Sequence, residues 1–332
     1  MGELVTLAGS ADTLSPAVDP VDYRPAAAHA EDRIWRETNC YLDLWIELLN
    51  VLGHDPAPAC AAALSADHDG EQWTFLKPDP AELRDIYGLA VAEVTLWRPV
   101  CETLESGFRR GLLHTVEVDS WWLPDTEGTD YRAGHVKTTI VPLQLDRSAT
   151  RMTYIHNAGV FELSGDDFAG VFGLSAEPAW VPAPYVEQIR RVRPDGPVDP
   201  AVVRAICRAQ LDRRPAGNPM AAFADSVVDA TTWLADAGIA TFHLWAFATL
   251  RQAGSCAEVA ADLAGYLWRT GVPAAAAAVD PFRAVAAGAK TVQFKMARAA
   301  RGRAVDVTGP LAAMSTAWEQ ALDILDRALP PA

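Results

Sequence analysis

Leu42, Trp45, Ile46, Leu49 and Leu52 recur at helical spacing behind the polar stretch Glu37-Thr38-Asn39-Cys40, and Gly53 closes the run. This spacing predicts a helix through the core, with Thr38 or Asn39 as its cap and Cys40 at its exposed first turn. Asp69 to Pro78 has a turn followed by alternating large side chains, the pattern of a strand stopped by proline. Asp79 to Gly88 carries proline at its start and glycine at its end, predicting a capped helix, and Pro99 to Arg110 predicts another, closed by Gly111. From His114 the period falls to two. Strands are expected over His114 to Asp119, His135 to Pro142 and Arg151 to Asn157, and Asn157 to Leu163 continues or turns the last of them. Trp121 to Pro124 leaves the sheet, and Asp125 to Gly134 is a polar, turn-rich loop. Ser164 to Asp167 caps a short helix ending near Gly173.

Beyond Pro182 the pattern is helical almost throughout. Helices are expected from Asp199, from Asn218, and over Ala240 to Gln252, Cys256 to Thr270, Pro281 to Ala300 and Gly309 to Leu329, with Gly238, Gly254, Gly271 and Gly302 as breaks. Trp233, His243, Trp245, Trp268 and Trp318 are expected in the core of such a bundle. Ala274 to Ala278 is alanine of low complexity, helix or linker. The organisation that follows is α+β: an arm over residues 1–30, a mixed domain over 31–181 and a helical domain over 182–332.

Composition narrows the classes. The chain has 332 residues, half of them hydrophobic, and no apolar run long enough for a membrane span. The first residues lack the basic flank and apolar stretch of a secretory signal, so a cytoplasmic protein is expected. A net charge of −15 argues against general nucleic-acid binding, which depends on neutralising phosphates, but leaves room for one local basic face; no DNA partner is expected. Five scattered cysteines without a C-x-x-C pair argue for reduced thiols and against a disulfide framework or a metal site.

One cysteine then stands out. The free N–H groups and macrodipole at a helix start favour a thiolate, which makes Cys40 a candidate nucleophile. A helix headed by cysteine, then antiparallel strands with His135 at the start of one and Asn157 at the end of the next, resembles the layout of a papain-like thiol fold. In that layout His135 is the base and Asn157 orients its ring, although His156 or Asp119 can take the orienting role and Asn-Ala-Gly is good turn chemistry. Asn39 or Gln72 can help the Cys40 backbone N–H hold an oxyanion. Asp130, Tyr131 and Lys137 are candidates for binding substrate. Lys295, Arg298 and Arg301 recur every three residues with Val292, Met296 and Ala299 facing inward, a local cationic face for a phosphate-bearing donor or simply a solvated one.

The blocks ETNCYLDLWIELL, EQWTFLKP, LWRP, WLPDTEGTDYRAGHVKTTI, YIHNAGVFEL and KTVQFKMARAARGR resemble those of a bacterial family of uncharacterised proteins. The first of these domains is also similar, more distantly, to the papain-like N-terminal domain of butirosin biosynthesis protein H, an acyltransferase that moves an aminoacyl group from a carrier-protein thioester to an amine. The near family is similar in occurring in biosynthetic pathways with stand-alone aminoacyl ligases, including seryl-tRNA-synthetase-like ones. These resemblances imply a cysteine-dependent acyltransferase without a cofactor of its own. Its donor would be an acyl carrier protein bearing phosphopantetheine or an aminoacyl-tRNA, and its acceptor an amine or hydroxyl. A cysteine hydrolase of the same fold, or a catalytically silent carrier-docking protein, are the competing expectations.

Overall fold

The computed structural model describes Leu14, residues 16–174 and residues 184–331. It is α+β, and the chain divides into two compact units. The first comprises residues 1–27, 40–56 and 79–198, and the second residues 28–39, 57–78 and 199–332.

In the first unit the local signals set most of the elements. Helix α1 (Cys40–Val51) starts at the candidate cysteine. Asp79 caps α2 (Pro80–Tyr87) by accepting the Ala81 N–H, and Gly88 ends it in the left-handed region at φ 68°. Strand β1 (Leu89–Glu93) follows directly, then α3 (Val100–Phe108), β2 (Leu113–Asp119), β3 (Lys137–Asp146), β4 (Arg151–His156), β5 (Gly159–Ser164), α4 (Asp166–Val171) and β6 (Val186–Arg191). The sheet is antiparallel with order β1-β6-β2-β3-β4-β5. Strand β6 lies between β1 and β2, so the boundary expected at residue 182 is displaced: the mixed domain needs residues 186–191 for its sheet, and the helical part resumes at Asp199.

The two faces of this sheet are distinct. Val116, Val118, Ile140, Met152, Tyr154, Leu163 and Val186 form one face and pack with Cys101 and Leu104 of α3 and Phe168 of α4. Strand alternation sends Thr115, Glu117, Asp119, Lys137, Thr139 and Glu187 to the other. Helix α1 covers that second face, packing on β3, β4 and β5. Its residues from Tyr41 to Leu49 are buried all round, not along one stripe. Glu47, within this buried set, accepts the Ala26 N–H at 3.0 Å and the Tyr23 hydroxyl. Leu14 is also buried, donating its N–H to the Gly111 carbonyl. The described part of the arm is thus tied down; residues 1–13 and Ser15 lie outside the described residues.

The second unit contains α5 (Pro200–Asp212), α6 (Pro219–Ala246), a π-helical turn over Phe247–Arg251, α7 (Gln252–Arg269), α8 (Ala276–Ala299) and α9 (Thr308–Ala328). Trp73, Phe223, Phe282 and Trp318 meet edge to face in its core. The strand expected over residues 69–78 is absent apart from a single bridge between His68 and Trp73. Asp69 instead ties a turn by accepting the Glu71 and Gln72 N–H groups, and Trp73 and Leu76 are buried three residues apart among helices. Gly238 breaks the helical dihedrals inside α6, at φ 80° and ψ −179°. Gly254 does not end a helix: a Cβ there would sit 2.3 Å from Trp35 Nε1, so its role is to admit that indole. Trp318 is in the core, whereas Trp233, His243 and Trp268 are exposed.

Candidate active site

Cys40 is the first residue of α1 and is half-buried, while Cys60, Cys101, Cys207 and Cys256 are buried. Burial pushes the Cys101 and Cys256 thiols up to about 12, which leaves them protonated and inert near neutral pH. The residue after Cys40 is anchored to the sheet. Tyr41 Oη donates to Glu187 Oε2 at 2.6 Å, the same oxygen accepts from Thr115 Oγ1 at 2.9 Å, and Tyr185 Oη donates to Oε1 at 3.1 Å. Burial, reinforced by the Glu187 bond, pushes the Tyr41 phenol well above its ordinary value, so it remains a donor. Glu187 and Tyr185 carry no local sequence pattern that marks them. Their signal lies in a long-range strand pairing that local periodicity does not carry.

His135 precedes β3, and its Nδ1 lies 2.6 Å from Asp119 Oδ2 at the end of β2. The other carboxylate oxygen, Oδ1, accepts the Trp121 N–H at 3.1 Å. The Trp121 indole stacks on the imidazole with centroids 4.5 Å apart and planes 9° from parallel. The carboxylate therefore fixes one ring nitrogen and the indole fixes the plane, leaving Nε2 without a hydrogen-bond partner among the described residues. Asp119 pairs with Lys137 in the ladder and points to the sheet face that α1 covers. Lys137 on that face is bonded to Glu117 Oε1 at 3.0 Å. No hydrogen bond joins Cys40 to His135 in this structure.

The orienting contact expected from Asn157 is not made. Asn157 occupies the two-residue turn between β4 and β5 with φ 44°, and its neighbours His156 and Gly159 pair across the hairpin. Asparagine tolerates that left-handed backbone, which explains its presence without chemistry. The residue on His135 is Asp119, one of the alternatives open from sequence.

His156 belongs to a second, buried network on the opposite sheet face. Its Nδ1 is 2.6 Å from Asp125 Oδ2 and its Nε2 2.7 Å from Thr138 Oγ1, and Tyr154 Oη donates to Asp125 Oδ1. His156 and Tyr154 share the face packed by α3 and α4, so this set is separated from α1 by the sheet itself. It anchors the loop between Asp119 and His135 at its middle.

The remaining candidates are scattered. Asn39 is buried, with Nδ2 donating to the Leu76 carbonyl at 3.0 Å. Gln72 is exposed in the Asp69 turn. Asp130 accepts the Ala133 and Gly134 N–H groups through its carbonyl, and Tyr131 Oη donates to Asp167 Oδ2 at 3.0 Å, so both are tied into the loop. Lys295 Nζ donates to the Asp306 carbonyl at 2.6 Å. Helix α8 ends at Ala299, which places Arg301 in the following turn, so the basic run is not one helical face; Val292, Met296 and Ala299 are buried as expected. Among the described residues, no group of three His, Cys, Asp or Glu side chains is placed to hold a metal ion, and no helix is long and apolar enough to cross a membrane.

Residues 24–191 match the model of the DUF1839 N-terminal domain, and residues 197–327 match that of the DUF1839 C-terminal domain. No curated protein matches the chain.

Proposed function

For a chain that belongs to the DUF1839 family along both of its domains, we propose a cysteine-dependent acyltransferase of papain-like design, with Cys40 as nucleophile, His135 as base and Asp119 as the residue that orients the imidazole. The observation that carries this reading is the Asp119–His135 pair on the sheet face covered by the Cys40 helix. The donor is an activated acyl group, a carrier-protein thioester or an aminoacyl-tRNA ester, and the acceptor a small amine or hydroxyl. His135 Nε2 takes the Cys40 proton and the thiolate attacks the donor carbonyl. The backbone N–H groups at the start of α1 stabilise the oxyanion. Collapse of the tetrahedral species breaks the bond to the carrier, whose thiol or hydroxyl leaves with the proton from His135. The acceptor then attacks the Cys40 thioester, losing a proton through His135, and its capture of the acyl group restores the thiol. Water as acceptor gives hydrolysis by the same steps.

The test is intact-protein mass spectrometry after incubation with aminoacyl-carrier and aminoacyl-tRNA donors. The expected result is a mass increase equal to one acyl group, mapped to Cys40 and lost in Cys40→Ala. An acyl adduct on another cysteine, or none with either donor class, overturns the assignment. Adding amine acceptors to the isolated acyl-enzyme separates transfer from hydrolysis by the product formed.

A further inference from the structure

The tryptophan that stacks on His135 is held at both of its peptide groups. Asp119 Oδ1 accepts the Trp121 N–H at 3.1 Å, and the Trp121 carbonyl accepts the Arg132 N–H at 3.2 Å from the far end of the same loop. Arg132 reaches that carbonyl with φ 54°, a left-handed backbone that an arginine keeps only where its surroundings hold it. Its side chain supplies the hold. Nη2 donates to one oxygen of the Asp167 carboxylate, the other oxygen accepts the Tyr131 hydroxyl at 3.0 Å, and the guanidinium carbon lies 4.3 Å from the centre of the Trp122 ring. Trp122 in turn lies against α4 where Gly170 has no side chain: a Cβ there would meet Trp122 Cδ2 at 2.0 Å. A largely solvated ion pair alone stabilises little. Here the same arginine bonds to α4, covers the ring of Trp122 and fixes the peptide that joins Trp121 to Trp122, so three contacts act on one short piece of chain.

We propose that Arg132 and Asp167 are positioning residues for the His135 imidazole, acting through Trp121. All of these residues lie in the first unit. The Trp121 indole is 4.5 Å from the imidazole and 9° from parallel, so a shift of the Trp121–Trp122 peptide tilts or withdraws one wall of the ring. The 2.6 Å bond from Nδ1 to Asp119 fixes a point and leaves the ring free to swing about it; the indole removes that freedom. Asp125 pins the middle of the loop to Tyr154 and His156 of β4 without using Arg132, so the two anchors can be released one at a time. That the imidazole so held is a base rests on the acyltransferase reading; its positioning does not.

The experiment reads the ring directly in the full chain. An imidazole stacked on an indole has its carbon-bound protons shifted upfield by the ring current, which proton–carbon spectra of histidine-labelled protein record. His135→Gln assigns the His135 signals, and Trp121→Leu sets their position without the indole. Arg132→Gly accepts the left-handed backbone and loses the side chain, and Asp167→Ala removes the acceptor. Each is expected to lose more than half of the upfield displacement. Arg132→Lys can still place a cation against Asp167 and Trp122, and is expected to retain it. The His156 signals, assigned by Overhauser contact with the Thr138 methyl, should stay in place in all three variants, because Asp125 still pins the middle of the loop. General loosening of the loop would move them. Unchanged His135 signals in Arg132→Gly and Asp167→Ala, an equal loss in Arg132→Lys, or movement of His156 together with His135 overturns the proposal. Cys40 acylation by a small thioester gives the second readout, expected to be about tenfold slower at saturation in Arg132→Gly, part of the ~10²-fold that a misplaced group can cost. Wild-type protein that shows the ring-current displacement but never acylates Cys40 sinks the acyltransferase reading and leaves the positioning intact.

Discussion

Asp119 and His135 stand 16 residues apart in sequence and 2.6 Å apart in space, closing a loop whose middle is pinned by buried Asp125. Orientation of the imidazole is therefore decided by the ends of two adjacent strands, and Trp121, within the same loop, covers one face of the ring. An imidazole held by both a carboxylate and a stacked indole has little rotamer freedom left, which suits it to the role of base proposed for it.

Removing the proposed base has a definite expected effect. His135→Ala should lower the rate of Cys40 acylation by about 10²- to 10⁴-fold, the usual contribution of a positioned general base. Asp119→Ala should cost less, because the imidazole survives without its orienting partner, and Cys40→Ala should abolish the adduct. Single-turnover acylation followed by mass spectrometry measures all three. Wild-type rates in Asp119→Ala would show that the carboxylate only caps the turn at Trp121.

Asn157 is expected to matter for the turn and not for the chemistry. Asn157→Gly should leave stability and acylation nearly unchanged, since glycine accepts φ 44° freely. Asn157→Val should destabilise by roughly 1–2 kcal/mol, the cost of a left-handed backbone for an ordinary residue. Urea unfolding measures the loss, and acylation normalised to folded protein should not change. A large fall in acylation with Asn157→Gly would return the residue to the catalytic set.

His114 gives a pH signature of folding. It is buried under α3, where a Cβ on Gly107 would meet its ring at 2.1 Å, and burial, then the Arg110 charge, lowers its pKa to about 4 from 6.5. The unfolded chain binds this proton first as pH falls. The neutral ring therefore costs nothing above pH 6.5, and stability declines through the window from 6.5 to about 4, with no further loss from this group below it. The full effect is on the order of 3 kcal/mol. His114→Leu should flatten the urea-unfolding free energy across that window relative to wild type. An unchanged slope would mean that other groups, such as the similarly shifted His54 and His68, carry the dependence.

Charge reversal tests the outer basic residues. Arg298 and Arg301 are exposed, and neither forms an ion pair among the described residues, whereas Lys295 is engaged with the Asp306 carbonyl. Reversing both arginines to glutamate should raise the KM for a carrier or tRNA donor and blunt its salt dependence, because exposed charges are screened over a Debye length of about 8 Å at physiological ionic strength. Reaction of Cys40 with a small thiol reagent should not change. Identical donor kinetics would assign this end of α8 to solvent alone.

What could be read in the sequence followed local chemistry. The start of α1 at Cys40, the proline and glycine ends of α2, and strands β2 to β4 are each set by neighbours in sequence, and the structure places them there. Strands β1 and β6 escaped because each is short and makes its pairs far along the chain. The alternation over residues 69–78 misled because Trp73 and Leu76 serve a helical core, where burial repeats at three and not two. Choosing between Asn157 and Asp119 needed the sheet register, which puts Asp119 opposite Lys137 and beside His135, a relationship that no local pattern encodes.

Among the described residues, strand β6 is the last piece of its sheet to be synthesised, yet it is the one neighbour of β1 and one of the two neighbours of β2. A nascent chain therefore emerges with β1 unpaired and one edge of β2 open, and neither can close until the ribosome has released Arg191. During that interval the exposed edges are available to a neighbouring chain, and closure must wait for a slow, long-range pairing. Premature termination anywhere between β5 and β6 should thus yield an aggregating fragment, making the timing of translation through this stretch a determinant of yield.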